Sequence, residues 1–291
     1  MTPNQQTWQE PTISRGRSAL DLHSYLRRIN YSGPLTANLQ TLKSIHFNHS
    51  LHIPFENLDP LLHKEVKIDM GSIQKKLVTD ERGGWCFEQN SLLLEILKSL
   101  GFRVKGLAAR VRWNIPEEVV TPRGHMLLLI DMEDEKYIAD VGFGSLTLTS
   151  PLRLVYDLEQ ATPHETFRFK QIEEGYLLQA KIKNEWRSVY SFSVIEYLPA
   201  DYNVSNWYLC NHPQSHFLKE LIVTKPFKDG RYVIHDNEYK VNYLDGRKER
   251  ISLESSSQLQ KILENIFGIK ISLEELTFNI WSYIIGHKSI R

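Results

Sequence analysis

At 291 residues, with 41% hydrophobic and 24% charged side chains, the chain has a globular composition and enough length for two or three domains. Its 35 Lys and Arg balance its 35 Asp and Glu, so no net field recruits nucleic acid or anionic lipid. No run reaches the roughly 18 to 20 apolar residues of a membrane span, and two cysteines do not make a disulfide framework.

The opening stretch, MTPNQQTWQEPTISRGRS, is polar and lacks the apolar segment of a secretory signal. Residues 1–19 read as a flexible arm, and two unpaired thiols point to a cytoplasmic, reducing location. Leu22, Tyr25, Leu26 and Ile29 recur at helical spacing over 20–31, before the Gly33-Pro34 stop. Leu39, Leu42, Ile45 and Leu51 repeat the pattern over 38–52, limited by Pro54. GSIQKKLVTD is one more short helix. In NSLLLEILKSLGF, Leu93, Leu94, Leu97 and Leu100 share a face, and Gly101 is placed as a cap. Residues 20–101 are thus expected to be a helical bundle.

The pattern then turns to strands: 102–113, 125–132 and 136–143, the last two joined by an EDE turn. Residues 166–182 and 185–194 add hairpins, giving a sheet-rich part over 102–198. From 199 to 291 the signals mix. Short strands turn at Asp229-Gly230 and Asp245-Gly246, and an amphipathic helix ends at Gly268. Ser272 and Glu275 form a capping-box pattern. The densest basic run, DGRKER (245–250), reads as a solvated turn. There is no internal repeat.

RGGWCFEQN (82–90) sets Cys86 behind two glycines at the head of the apolar helix. The thiolate is the nucleophile, and its ordinary pKa of about 8.5 falls at a helix N-terminus or beside a proton-accepting imidazole. The glycines would let the backbone approach a substrate carbonyl. His125 opens one strand after a polar loop, and Asp140 lies at the end of the next. A hairpin about EDE brings 125 and 140 to the same end, where the carboxylate can fix the imidazole tautomer. Each residue also has a plainer reading: packed thiol, strand-end imidazole, turn former. Spacing alone does not choose between them.

Four stretches do choose. IPFENLD (53–59), RGGWCFEQN (82–90), GHMLLLI (124–130) and ADVGFGS (139–145) resemble, in order and spacing, the signature stretches of the arylamine N-acetyltransferases. The similarity runs from about residue 20 to 285. It implies an α+β fold: an N-terminal helical bundle and a β-barrel forming a cysteine-protease-like (transglutaminase-like) core, followed by an α/β lid. It implies Cys86 as acyl-accepting nucleophile, His125 as its proton partner and Asp140 as the group orienting His125. The implied donor is acetyl-CoA and the implied acceptor a small aromatic amine or hydrazine, exchanged by a ping-pong route through an acetyl-cysteine.

By the same resemblance, Phe55 and Phe143 line the acceptor pocket, where flat apolar walls suit an aromatic ring. Gly142, Gly144 and Ser145 belong to a turn whose backbone amides would meet CoA phosphates. Ser145 departs from the glycine of many bacterial members, which leaves the donor pose less fixed than the triad. Arg82 and Glu56 are expected to form a buried ion pair bracing the bundle. Alternatives on the same core are an amide synthase using another acyl donor and a Cys-His-Asp hydrolase. A binding module would have no need to keep all three groups.

Other features read as structural. His46, His49 and His52 fall three apart, so successive members diverge by about 60° on a helix and make an ordinary polar face rather than a metal site. Pro213 separates His212 from His216 and breaks a helical pair. GFGS lacks the third glycine of a dinucleotide fingerprint. Cys210 reads as a packed thiol. No metal is expected, and oligomeric state is unassigned.

Overall fold

The structure, a computed structural model, describes residues 20–173, 175–282 and Ile284. The expected arm over 1–19 and the last residues of the third part, 285–291, lie outside the described residues.

The bundle begins with α1 (Leu22–Arg28) and α2 (Leu39–His52), capped by the side chains of Asp21 and Asn38. The first helix is shorter than its apolar pattern. It stops at Arg28, two residues before Asn30 takes a left-handed φ of 51°. The chain then runs through β1 (Phe55–Glu56), α3 (Leu58–Leu61) and α4 (Met70–Gln74), which widens into a π-turn at Lys75–Thr79. Next comes α5 (Cys86–Ser99). Its buried stripe is Leu92, Leu93, Ile96 and Leu97, each fully enclosed, while Leu94 and Leu100 are half-buried. The face is thus rotated from the expected one. Each enclosed side chain contributes about 1.5–3 kcal/mol, which ties the helix headed by Cys86 firmly to the core.

Eight antiparallel strands follow: β2 (Arg103–Val111), β3 (His125–Met132), β4 (Glu135–Ala139), β5 (Leu152–Arg153), β6 (Gln160–Ala161), β7 (Thr166–Ile172), β8 (Gly175–Ile182) and β9 (Glu185–Glu196). Their order is β5-β4-β3-β2-β9-β8-β7-β6. The ends β5 and β6 are joined by one side chain. Gln160 accepts the Arg153 N–H at 2.8 Å and donates to the Arg153 carbonyl at 2.9 Å. The apolar run in β3 has a physical reason. Met126, Leu128 and Ile130 face the helical core, whereas Leu127 and Leu129 face the barrel interior with Phe167, Phe169 and Val189.

The third part comprises α6 (Pro199–Asn211), β10 (Ile222–Phe227), β11 (Gly230–His235), β12 (Glu238–Tyr243), β13 (Lys248–Ser252), α7 (Ser256–Ile262) and α8 (Leu273–Glu275). β1 joins its sheet, in the order β1-β10-β11-β12-β13. Leu58, Leu61 and Leu62 likewise sit in the third core, and Tyr202 and Leu209 of α6 sit in the first. The first and third cores therefore interlock around the segment that carries β1. Among the described residues, no helix is long and apolar enough to cross a membrane.

Candidate active site

Cys86 is the first residue of α5, where the helix geometry leaves backbone N–H groups without intrahelical partners. The N-cap, Trp85, has no capping side chain. Instead Glu88 reaches back and accepts the Trp85 N–H at 3.0 Å. The two glycines serve packing at this corner. A Cβ on Gly83 would lie 2.3 Å from the Pro54 carbonyl, and one on Gly84 would lie 2.6 Å from the Glu88 carboxylate. They admit the Pro54 carbonyl and Glu88 at close range.

The three expected residues come together. His125 Nε2 lies 2.7 Å from Asp140 Oδ2, and the Cys86 side chain lies close enough to the ring to help raise its pKa. That sulfur also lies 3.9 Å from the Gly124 carbonyl, and Cys86 is 5% exposed. Burial works against a charged imidazole. The Asp140 charge, its hydrogen bond and the Cys86 sulfur outweigh it and raise the His125 pKa to about 10. Asp140 is wholly buried, which disfavours its ionisation. The charge of His125 and hydrogen bonds from His125, Asn90 and Gly142 prevail and hold its carboxyl below the usual range.

The hairpin register explains the meeting. Leu128 pairs with Ala139, and β4 ends there rather than continuing to 143. Asp140 Oδ1 accepts the Gly142 N–H at 3.0 Å, which turns the chain out of the sheet. Asn90, one turn along α5 from Cys86, donates to Asp140 Oδ1 and to the Met126 carbonyl, and it accepts the Val141 N–H. Gly142 then packs so closely that a Cβ would stand 2.6 Å from the Cys86 Cα. Nothing in the spacing pattern marked Asn90, although it ends the quoted cysteine motif.

Aromatic rings surround this centre. Phe143 meets His125 edge-on at 5.0 Å between centroids, and Tyr190 covers the same ring at 5.1 Å. Phe55 lies against Gly144 and against Phe217, which in turn meets Trp85 at 5.3 Å. Phe217 was not anticipated. It stands on the loop after α6, far away in sequence, and no periodicity points to it.

The amides of Gly142 and Gly144 are donated within the turn, to Asp140 Oδ1 and to Thr147 Oγ1. Ser145 is the exposed residue of the turn. The three spaced histidines do not form a polar outer face. His46 and His49 are fully buried and His52 is half-buried. His46 Nε2 accepts the Asp140 N–H at 3.2 Å, and His49 contacts Tyr25 and Gln89.

Under the helix head lies a second charged group. Arg82 bonds Glu56 at 2.6 Å and Asp59 at 3.0 Å, and Lys76 bonds Asp59 at 2.6 Å and Glu88 at 2.8 Å. The expected Arg82–Glu56 pair is present and belongs to this network. Burial disfavours ionised Asp59, but the charges of Lys76 and Arg82 win and lower its pKa. Cys210 is a half-buried free thiol whose pKa burial raises to about 11.

Surface hollows of about 610 and 580 Å³ lie on the barrel's outer face beside Arg112 and Trp186, and between the 60–69 loop and α6. Neither is lined by Cys86, His125 or Asp140. Among the described residues, no group of three His, Cys, Asp or Glu could hold a metal ion.

Comparison with known proteins supplies the context. A family model described as N-acetyltransferase matches residues 38–276. The arylamine N-acetyltransferase of Escherichia coli K12 is 40% identical over 251 residues, covering 86% of this chain and 89% of that protein. The Salmonella typhimurium protein named arylamine N-acetyltransferase / N-hydroxyarylamine O-acetyltransferase is 36% identical over 252 residues, covering 86% and 89%. The structure of Mycobacterium marinum arylamine N-acetyltransferase in complex with CoA superposes with a TM-score of 0.87 at 34% identity, covering 90% of this chain and 99% of that one.

Proposed function

The chain belongs to the arylamine N-acetyltransferase family, and from that premise we propose that Cys86, His125 and Asp140 carry its chemistry. It is an acyltransferase that uses acetyl-CoA to N-acetylate arylamines. Arylhydrazines are proposed as acceptors of the same shape. The observation that supports the assignment is the ring of His125, held by Asp140 at 2.7 Å and close enough to Cys86 for that side chain to help raise the ring's pKa.

Asp140 fixes the tautomer of His125 and stabilises its cationic form. His125 takes the thiol proton, and Cys86 becomes a thiolate at the positive end of α5. The donor brings an acetyl group already activated as a thioester. Cys86 attacks its carbonyl carbon, and the Cys86 N–H is placed to bind the developing oxyanion. His125 returns its proton to the departing sulfur, leaving acetyl on Cys86. Phe55, Phe143 and Phe217 then wall the position of an aromatic acceptor. His125 removes a proton from the attacking nitrogen, the amide departs and the thiolate is restored.

Of the turn residues assigned to the donor, Ser145 is exposed and fits an anionic oxygen, whereas Gly142 and Gly144 contribute shape. A small aromatic acceptor, no nucleic-acid partner and a cytoplasmic setting, where Cys86 and Cys210 stay as thiols, complete the reading. The division into parts near residues 101 and 198 is kept as part of the same proposal.

Incubation with acetyl-CoA alone, followed by mass spectrometry of peptides, tests it. We expect a stable acetyl adduct on Cys86 that an aniline discharges, and none in Cys86→Ser. Rapid hydrolysis without transfer to the amine would replace this reading with a hydrolase.

A further inference from the structure

We propose that His46 is a positioning residue for the triad, holding the main chain of Asp140 from the bundle side. The proposal rests on the triad reading above. His46 sits in the middle of α2, fully buried, 94 residues before the group it holds. Its Nε2 lies 3.2 Å from the Asp140 backbone nitrogen and can only accept that N–H. The ring proton is therefore on Nδ1, which is buried and has no hydrogen-bond partner.

Stranding a buried donor costs about 1–3 kcal/mol, which a leucine at this position would not incur. The bond to Asp140 is what an imidazole supplies there and a leucine does not. Burial also lowers the His46 pKa to about 4, with Asp140 opposing, so the ring stays neutral and remains an acceptor through the neutral range.

The geometry shows what is held. One turn further along α2, Ser50 Oγ donates to the Leu148 carbonyl at 3.0 Å. His46 and Ser50 thus fasten the two ends of the segment 140–148, which carries Asp140, Gly142 and Phe143. Asn90 fastens it from α5, and Arg231 of β11 donates to the Thr147 carbonyl at 2.9 Å. Of these side chains, His46 and Asn90 act on Asp140 directly, and His46 alone among them meets its backbone N–H. Without that bond the carboxylate is free to withdraw from His125, which weakens the contact that keeps the ring cationic. The titratable groups facing His46 are Asp140 and, on its own helix, His49. Those facing His125 are Asp140, Cys86 and Tyr190.

The test compares His46→Met, His46→Gln and His46→Asn. Gln carries an oxygen to the place of Nε2, whereas Asn reaches only that of Nδ1. The readouts are steady-state acetyl transfer to an aniline and the pH dependence of Cys86 alkylation by iodoacetamide, which needs no acetyl-CoA. In the methionine variant we expect kcat to fall about tenfold with KM for the amine unchanged, and the alkaline limb to move down by about one pH unit. Gln should restore both to within about twofold. A folded methionine variant with the wild-type limb and kcat would overturn the proposal. If the methionine variant does not fold, the amide pair decides: Gln close to wild type and Asn impaired supports it, and equal behaviour overturns it. The wild-type acetyl adduct on Cys86 tests the triad separately, so failure of one reading is distinct from failure of the other.

Discussion

Two buried ionic groups meet at the head of α5, and they are built differently. The Glu56–Asp59–Lys76–Arg82–Glu88 network pairs each charge with at least one opposite charge, and its spare carboxylate oxygens also accept main-chain N–H groups at Trp85 and Leu58. The Cys86–His125–Asp140 row pairs its carboxylate and ring equally tightly but ends on a sulfur with no tight partner beyond the ring. Both carry the desolvation cost of buried charge. On the reading proposed above, full pairing produces a brace, whereas leaving one end of the row open produces a nucleophile.

The sharpest way to break this comparison is Asp140→Asn. It keeps the shape but removes the charge and the acceptor that hold His125. Acetyl transfer, measured as kcat/KM, should fall by about 10⁴-fold. A fall below about tenfold would make Asp140 a packing residue like those around it. Next in size is Arg82→Met, which leaves Glu56 and Asp59 buried against a single remaining cation. Urea unfolding should show a loss of about 3–5 kcal/mol. The pH profile of Cys86 alkylation in the folded fraction should be unchanged. A shifted profile would mean that brace and triad form one electrostatic unit.

A third test concerns proton linkage at His125. Its pKa is raised from 6.5 to about 10, so the folded state holds a proton that the unfolded chain has released across that interval. Its contribution to stability is complete below pH 6.5 and is lost as pH rises to about 10. The melting temperatures of wild type and His125→Asn, compared from neutral to alkaline pH, should converge as that contribution fades. Curves that stay parallel would place the ring in a neutral state throughout.

The sequence disclosed the proposed reactive groups better than their supports. Cys86, His125 and Asp140 were legible because their motif wording is specific and the EDE turn set the hairpin. Arg82 and Glu56 were legible for the same reason. His46 was misread because helical periodicity sorts a polar residue to the outer face, and its true partner is a main-chain N–H that no sequence pattern displays. Asn90 is embedded in a quoted motif, yet its grip on the 140–141 turn exists only once α5 crosses β3. Phe217 reaches the site through the third part, whose strands were expected without their order. The interlock of β1 with β10 was hidden because a two-residue strand is too short for period-two alternation.

The Gln160 side chain that bridges Arg153 has a consequence for how the molecule breathes. Elsewhere the barrel wall is knit by ladders of main-chain bonds, but at this seam one amide group and a few flanking contacts stand in for a ladder. A rotamer change of a partly exposed glutamine costs far less than parting two strands. Solvent exchange should therefore begin along 152–161. The seam lies two strands from β3 in the order of the sheet, so opening it first loosens β5 and the chain that leads back to Asp140.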